Sequence, residues 1–328
     1  MKKTERIQSA LRGIDVDRVP FAFWTHRPDI DLDSAKLAEE TALFAQRLDL
    51  DFVKSMPNGF YCVEDWGCEL DFSDVARGGV GRVVRPAVSM PDDWRKLARS
   101  ATSAGALARE LRYLSLLVKR MGPDVPVLAT VFSPMTIANK LSNGVHRAHL
   151  DSEPQAVAAG LEVITQVTCD FTRAAIAAGC AGIFFATQDA TFHLFDTNTY
   201  RREAEPHDLR VLQAAREAGG WFNAIHMHGD DVLFDVLRDY PADALNWHIG
   251  ETPPAIGAYR ASGGTRAVLG GLQRGHITNR DLPAVFKDIQ TSMDQTQGRG
   301  IIIAPACVIR HPVDEQVILE IVRKINSL

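Results

Sequence analysis

Two histidines and a distant cysteine are the residues of this 328-residue chain whose types and spacing best suit metal chemistry. The motif His226-Met227-His228-Gly229 places two imidazoles two positions apart, so both point to the same side if the chain is extended there. Cys307 follows 81 residues after His226 and could complete a set of two histidines and one cysteine. Three protein ligands with one open position are typical of catalytic zinc. The alternative is that the histidines form ordinary hydrogen bonds and Cys307 is a small buried thiol.

These three residues can meet only if the strands that carry them belong to one sheet. Apolar, β-rich runs alternate with helical segments along almost the whole chain, which is the pattern of a parallel sheet with crossover helices. The pattern predicts one domain over residues 1–328, a single (βα)8 TIM barrel. An open doubly wound sheet is less favoured, because no glycine-rich phosphate loop follows the first strand. The eight predicted strands cover residues 19–24, 51–56, 125–132, 181–187, 221–227, 244–249, 265–272 and 300–305.

The last side chains of each strand point into the pocket of such a barrel, so polar residues there are candidates for substrate binding. His226 and His228 lie at the end of the fifth predicted strand, and Cys307 follows the eighth. The stretch 58–92 between the second and third strands is predicted to be an insertion with a hairpin over 82–88, and it could close over a substrate. The candidates for substrate binding are His26, Glu64, Trp66, Gln188, Asp189, His248 and Gln273.

Composition and charge narrow the choice of partners. The net charge is −5 and the lysines and arginines are scattered, which predicts no nucleic-acid surface. No apolar run approaches the roughly 18 residues of a membrane span, and no apolar signal segment opens the chain, so we expect a cytoplasmic protein without membrane association. The five cysteines are odd in number and are expected to be reduced thiols. His146 and His149 are expected at the surface or at a helix edge. The sequence leaves a homodimer as one possible oligomeric state.

Several segments together resemble the uroporphyrinogen decarboxylase superfamily over nearly the whole chain. That superfamily includes the decarboxylases of haem synthesis and zinc-dependent methyltransferases that take methyl groups from corrinoid proteins. The resemblance implies a barrel fold and a small-molecule substrate. The segments that carry it are Arg6-Ile7, Ala10-Leu11, Asp17-Arg18-Val19-Pro20, Phe132-Ser133-Pro134, Asn246-Trp247, Leu269-Gly270-Gly271 and residues 300–307.

The pocket motifs are more similar to those of the methyltransferase branch. The decarboxylases carry an Arg-Gln-Ala-Gly-Arg segment after the first strand, where this chain has Phe23-Trp24-Thr25-His26-Arg27-Pro28. A substrate with many carboxylates needs paired arginines, since each desolvated carboxylate without a partner is costly. The methyltransferases have a cysteine where Cys307 stands and His-x-Cys-Gly where this chain has His226-Met227-His228-Gly229. The resemblance therefore implies Zn²⁺ held by His226, His228 and Cys307, and a partner protein that carries the corrinoid.

Three functions remain open from the sequence. The first is a zinc-dependent methyltransferase in which a thiol bound at the metal attacks an activated methyl group, with His226, His228 and Cys307 as the catalytic residues. The second is a decarboxylase of porphyrinogens or another polycarboxylate that needs no cofactor. Its positive charge would come from Arg27, Arg77, Arg82 and Arg85. The third is a ligand-binding barrel without catalysis.

Overall fold

The computed structural model describes residues 1–75 and 81–328, and within these residues it contains nine β-strands and fourteen α-helices. The strands are β1 (Val53–Lys54), β2 (Glu69–Asp71), β3 (Arg82–Arg85), β4 (Val127–Phe132), β5 (Gly182–Thr187), β6 (Ala224–Met227), β7 (Ala244–Trp247), β8 (Ala267–Leu272) and β9 (Ile301–Pro305). The helices are α1 (Lys3–Leu11), α2 (Ser34–Arg47), α3 (Tyr61–Glu64), α4 (Gly105–Met121), α5 (Pro134–Ser142), α6 (His146–Ser152), α7 (Pro154–Ala177), α8 (Thr197–Glu203), α9 (Glu205–Glu217), α10 (Phe234–Leu237), α11 (Ile256–Ala261), α12 (Arg274–Thr278), α13 (Leu282–Thr296) and α14 (Glu315–Asn326).

Seven of these strands form one parallel sheet in the order β1-β4-β5-β6-β7-β8-β9. Every residue of the seven strands is buried, as expected of a parallel sheet that is covered on both faces. Chain order and sheet order agree, because each crossover brings the chain back beside the strand it has just left. The predicted α/β class with parallel strands is therefore confirmed.

The number of strands differs from the prediction, because residues 19–24 do not form a regular strand. Phe21 makes only an isolated parallel bridge with Ile303, while Asp51 N donates to Phe21 O at 3.0 Å on the other side. The carbonyl of Pro20 accepts a hydrogen bond from Ile303 N at 2.8 Å. Because proline has no N–H, it cannot donate in return, and one hydrogen bond is missing between this segment and β9. The segment thus lies hydrogen-bonded between β9 and the start of β1 without being a strand itself.

Apolar side chains pack in two clusters on the two faces of the sheet. Alternate residues of β5 show the division, since Phe184 belongs to the inner cluster while Ile183 and Phe185 belong to the outer one. Aromatic rings fill much of the inner cluster, and the ring centroids of Trp24 and Phe184 lie 5.6 Å apart. None of the described helices combines the length and the apolar composition needed to cross a bilayer.

The expectation that His146 and His149 lie at the surface is wrong. Their exposed fractions are 1% and 9%, because α6 packs against α7 and is covered by aromatic side chains. Trp94 Nε1 donates to His149 Nδ1 at 3.1 Å, and the ring of Phe195 lies 6.1 Å from that of His146.

The stretch 58–92 contains α3 and the antiparallel pair of β2 and β3. The hairpin was predicted over 82–88, and its second strand is Arg82–Arg85. Arg82 Nη2 lies 2.6 Å from Asp71 Oδ2, and Arg85 forms an ion pair with Glu69. Arg77 lies outside the described residues.

Asp51 fixes the irregular segment to the sheet. Its carboxylate is fully buried just before β1, where it accepts hydrogen bonds from Arg6 Nη1 and Arg18 Nη1, both at 2.7 Å. The same carboxylate accepts from the backbone N–H of Phe21 at 2.9 Å. One buried side chain thus joins α1, the segment 19–24 and the entry to β1.

Replacing this carboxylate with an amide is expected to destabilise the whole fold. Asp51→Asn removes the fully buried carboxylate that pairs with the buried Arg6 and the half-buried Arg18, although Arg6 keeps its contact with Asp17. Breaking a buried pair from one side costs about 3 kcal/mol. Urea unfolding followed by circular dichroism measures the loss. Asp15→Asn removes an ion pair with Arg299 that is exposed on both sides, so it should leave the urea midpoint almost unchanged. Equal midpoint shifts in the two variants would contradict this role of Asp51.

Candidate metal centre

Four donor side chains meet at the carboxyl edge of neighbouring strands. His226 lies in β6, His228 follows that strand directly, His248 follows β7, and Cys307 follows β9. Parallel strands end at the same edge of a sheet, so residues distant in sequence become neighbours there. The structure thus brings together the three residues that the sequence singled out, and it adds His248 to them.

The four donor atoms have the spacing of a metal site. They all lie within 4.8 Å of one another. Cys307 Sγ is 3.8 Å from His226 Nε2 and 3.6 Å from His228 Nδ1. Tetrahedral zinc with bonds of ordinary length holds nitrogen and sulfur donors roughly 3.3–3.8 Å apart. The two sulfur–nitrogen distances therefore match those of a zinc site, and the donor types fit the ion.

The amide of Asn246 determines which nitrogen of His226 faces the cysteine. Its Nδ2 donates to the backbone carbonyls of Leu269 at 2.6 Å and Pro305 at 3.4 Å, and these oxygens can only accept. Its Oδ1 must then accept from His226 Nδ1, with which it forms a hydrogen bond. The lone pair of His226 therefore lies on Nε2, on the side of Cys307. Sequence reasoning noted Asn246 for its family resemblance but missed this role.

His248 is held less firmly than His226. Its Nε2 accepts from the backbone N–H of Gly229 at 3.3 Å, and its Nδ1 lies 3.4 Å from Glu251 Oε2. The guanidinium of Arg274 lies 3.7 Å from the same carboxylate oxygen. A carboxylate behind the imidazole is the usual support of a metal-binding histidine. The sequence had suggested His248 only as a residue that orients substrate.

Burial sets the protonation of the cluster. It lowers the pKa of His228 and of His248 to about 4 and that of His226 well below its ordinary value. All three imidazoles are therefore neutral at pH 7, the form in which histidine binds metals. Burial also raises the pKa of the Cys307 thiol, while Arg274 and Lys54 oppose this shift. A thiolate at this position thus depends on nearby positive charge.

A cavity of about 430 Å³ adjoins the cluster, which is a suitable size for a small molecule. Its lining includes Val308, the residue after Cys307, and Arg274, while the four donors themselves are not among the lining residues. His26, a predicted substrate-binding residue, lines the cavity, and burial together with Lys54 and Lys140 lowers its pKa to about 4. The other lining residues include Pro28, Asp31, Asn58, Phe60, Arg310 and His311.

Two of the other predicted substrate-binding residues lie in the stretch 58–92 and make structural contacts. The carboxylate of Glu64 accepts from Arg109 Nη1 at 2.9 Å. The indole of Trp66 donates to Ala98 O at 2.8 Å and packs against the outer cluster. Neither belongs to the lining of the 430 Å³ cavity.

The remaining three lie at strand ends but are absent from the lining of this cavity. Gln188 is half-buried, and its backbone N–H donates to Thr136 Oγ1 at 2.8 Å. Asp189 is 1% exposed, and burial raises its pKa to about 6 although the amide of Asn139 donates to it. Gln273 donates to Asp288 Oδ1 at 3.3 Å and lines a separate cavity beside α13.

Comparison with curated proteins finds a methyltransferase and a decarboxylase among the relatives. Methylcobamide:CoM methyltransferase MtbA of Methanosarcina mazei is 20% identical over 229 residues, which cover 65% of this chain and 66% of the relative. A uroporphyrinogen decarboxylase of Geobacillus thermodenitrificans is 26% identical over 205 residues, which cover 60% of this chain and 56% of the relative. The chain thus aligns with just under two thirds of one relative and just over half of the other.

Solved structures extend the similarity over the full length. A methyltransferase from Methanosarcina mazei matches 100% of this chain and 99% of its own with a TM-score of 0.81 at 17% identity. A putative vitamin-B12 independent methionine synthase from Listeria monocytogenes matches 95% of this chain and 96% of its own with a TM-score of 0.57 at 12% identity. The family model for uroporphyrinogen decarboxylase (URO-D) matches residues 2–328. The resemblance seen in the sequence is thereby confirmed, and the chain belongs to the uroporphyrinogen decarboxylase family.

Proposed function

We propose that this protein is a zinc-dependent methyltransferase, which transfers a methyl group between a corrinoid protein or a methylated small molecule and a metal-activated acceptor. The observation that carries the proposal is the convergence of His226, His228, His248 and Cys307 within 4.8 Å at one sheet edge. Imidazole nitrogen and thiolate sulfur are the donors that zinc prefers in proteins. The adjoining cavity provides room for an acceptor beside them.

The residues of the chain bind, orient and tune this centre. His226, His228 and Cys307 would hold Zn²⁺. The Nε2 of His248 would become a fourth donor by exchanging its hydrogen bond with the N–H of Gly229 for the metal, with Glu251 behind the ring. A bound Zn²⁺ supplies Lewis-acid chemistry, because it lowers the pKa of a coordinated thiol as it does that of water. His26 on the cavity wall would orient the acceptor as a neutral hydrogen-bonding group.

The donor and the acceptor are inferred from a relative. The name of MtbA gives a methylcobamide and CoM, so we infer a corrinoid on a partner protein as the methyl donor and a small thiol as the acceptor. The motif His226-Met227-His228-Gly229 has an imidazole where the methyltransferase branch has a second cysteine. A site with one thiolate carries one negative charge fewer, which makes a bound thiol less electron-rich.

Decarboxylation remains the alternative, since a decarboxylase is also among the relatives. It requires free cationic side chains for the carboxylates of the substrate. Arg27 Nη2 lies 3.4 Å from Glu315 Oε1. Arg82 and Arg85 form ion pairs with carboxylates in the hairpin. These three described arginines are therefore engaged with carboxylates, whereas Arg274 and Arg310 are the arginines that line the cavity.

Metal content is the first test of the proposal. Protein purified without chelators is expected to contain about one Zn²⁺ per chain, and Cys307→Ala less than about one third of that. Elemental analysis by mass spectrometry measures both. Cys62→Ala is the matched control, because Cys62 is equally buried but lies outside the cluster, and it should keep its zinc. Wild-type protein that contains no zinc, or release of carbon dioxide from uroporphyrinogen by the protein, would contradict the proposal.

The orienting role of Asn246 gives a second test. Asn246→Ala is expected to weaken zinc binding roughly 10- to 100-fold, the usual effect of removing a residue that orients a metal ligand. Competition with a chromophoric chelator measures the affinity. Thermal unfolding of the metal-free variant separates a loss of affinity from a loss of fold. A folded variant with unchanged zinc affinity would show that the amide does not orient His226.

A further inference from the structure

A buried carboxyl group on the outer side of the sheet lies outside the candidate site and joins three segments of the chain. Asp208 in α9 is fully buried, and its Oδ2 accepts a hydrogen bond from the hydroxyl of Tyr200 in α8 at 2.8 Å. The same oxygen accepts from the hydroxyl of Tyr240, shortly after α10, at 3.0 Å. Both tyrosine rings are buried in the outer cluster. We call Asp208, Tyr200 and Tyr240 the Asp208 junction.

No positive charge balances this carboxyl group. Its Oδ1 is buried and makes no hydrogen bond with any residue in the described ranges. Among charged groups, those that act on it most are also carboxyl groups, Glu205 in the same helix and Asp189 after β5. These two groups repel a further negative charge.

The basic side chains of the surrounding elements have other partners. Arg201 of α8 is exposed to water. Burial lowers the pKa of His207, so its ring is mainly neutral at pH 7. The other contacts are those of Arg202 with Glu203, His207 with Thr165, Arg210 with Glu162, Arg216 with Asp243 and Arg238 with Ser262. Within the described ranges, the carboxyl group of Asp208 therefore depends on two hydroxyl donors alone.

Such a carboxyl group favours its protonated form in the folded protein. Removing an ionised carboxylate from water without a cation is costly, and two neutral donors offset only part of that cost. Burial accordingly raises the pKa of Asp208 to about 7, although Tyr200 and Tyr240 act against the shift. Aspartate in an unfolded chain has a pKa of about 3.9. Folding therefore binds one more proton here between about pH 4 and about pH 7.

The segments that the junction joins continue into loops at the carboxyl edge of the sheet. α8 follows the loop after β5, and α10 follows the loop that begins with His228. These two loops hydrogen-bond to each other, since Leu233 N donates to Ala190 O at 2.8 Å and Phe192 N to Asp231 O at 2.9 Å. A change at the junction thus acts on two helices whose preceding loops are already connected.

We propose that the Asp208 junction is a proton-dependent latch, which holds α8 and the end of α10 against α9 while Asp208 keeps its proton and loosens when that proton is lost. Burial raises the pKa of both tyrosines well above its ordinary value, so only the carboxyl group of the junction changes charge near neutral pH. Local opening lets water reach the unpaired Oδ1. The inference is independent of the proposed metal centre and of methyl transfer.

The direction of the pH dependence follows from the raised pKa. The folded protein binds this proton more tightly than the unfolded chain does. The stability that it contributes is therefore fully present below about pH 4 and is lost as the pH rises to about 7. Over most of this range, the equilibrium constant for folding should fall about tenfold per pH unit through Asp208.

The first measurement is the protonation of Asp208 itself. Full-length protein labelled with ¹³C at the aspartate carboxyl carbons is titrated by NMR, and the signal of Asp208 is the one that Asp208→Asn removes and Tyr200→Phe shifts. Its midpoint is expected at about pH 7. Tyr200→Phe removes a donor to the charged form and should move the midpoint upward. A midpoint below about pH 5, or one that Tyr200→Phe leaves in place, overturns the latch.

Urea unfolding at several pH values measures the effect on stability. Asp208→Asn keeps an uncharged side chain of the same shape, while all other titrating groups are shared with wild type. Between about pH 5 and about pH 6.5, the folding constant of wild type should therefore fall about tenfold per pH unit relative to that of Asp208→Asn. Asp235→Asn, at an exposed carboxylate of α10, is the control and should keep the pH dependence of wild type. Parallel curves for wild type and Asp208→Asn contradict the proposal.

Hydrogen exchange followed by mass spectrometry locates the opening. After correction for the intrinsic exchange rate, peptides from α8 and α10 of wild type are expected to exchange faster at about pH 8 than at about pH 6, while α13 stays unchanged. The increase should be absent in Asp208→Asn. Repeating the measurement after chelator treatment excludes metal release as its cause. An increase that is equal in α13, or one that survives in Asp208→Asn, counts against the latch.

Discussion

The hydrogen bonds of the Asn246 amide are the interaction on which the candidate site depends. The amide is fully buried and joins four neighbouring strands, since it lies in β7 and contacts His226 in β6, Leu269 in β8 and Pro305 at the end of β9. Its two ends are not interchangeable, because the carbonyls of β8 and β9 can only accept. One side chain thereby fixes both the spacing of the strands and the tautomer of a histidine. The tautomer in which His226 could bind a metal through Nε2 is thus a consequence of how the sheet is assembled.

The electrostatics of the four-donor cluster, at the carboxyl ends of the strands, follow from the same assembly. Three imidazoles are kept neutral by burial, and Cys307 is the one residue of the cluster that becomes negatively charged when it loses its proton. Lys54 and Arg274 both favour the thiolate of Cys307. A divalent cation added to such a set leaves the centre positive, whereas a second thiolate would have neutralised it. An imidazole of His228 in place of a second thiolate therefore favours an incoming group that carries negative charge.

The sequence was sufficient for the parts of the site that depend on regular geometry. The spacing of His226 and His228 and the position of Cys307 after the last strand follow from the two-residue period of a strand and from the common edge of parallel strands. Beyond a strand end, direction depends on the turn that follows. His248 and Gln273 each follow directly after a strand. His248 nevertheless joins the cluster, whereas the side chain of Gln273 donates to Asp288 on α13. Likewise, Pro20 interrupts the first predicted strand through a missing donor, although its neighbours are apolar as in a strand.

Stability and chemistry are separated along the axis of the strands. Below the four-donor cluster, Asp51 is matched by two guanidinium groups, and the aromatic rings of the inner cluster pack against each other. At the carboxyl ends of the strands, the imidazole cluster and the amine of Lys54 over Phe184 are costly to bury, and burial lowers the pKa of Lys54 to about 7. Groups of this kind persist only where the rest of the fold holds them in place. The same sheet supports both regions. The favourable packing of the strands at one end therefore offsets the free-energy cost of burying Lys54 at the other.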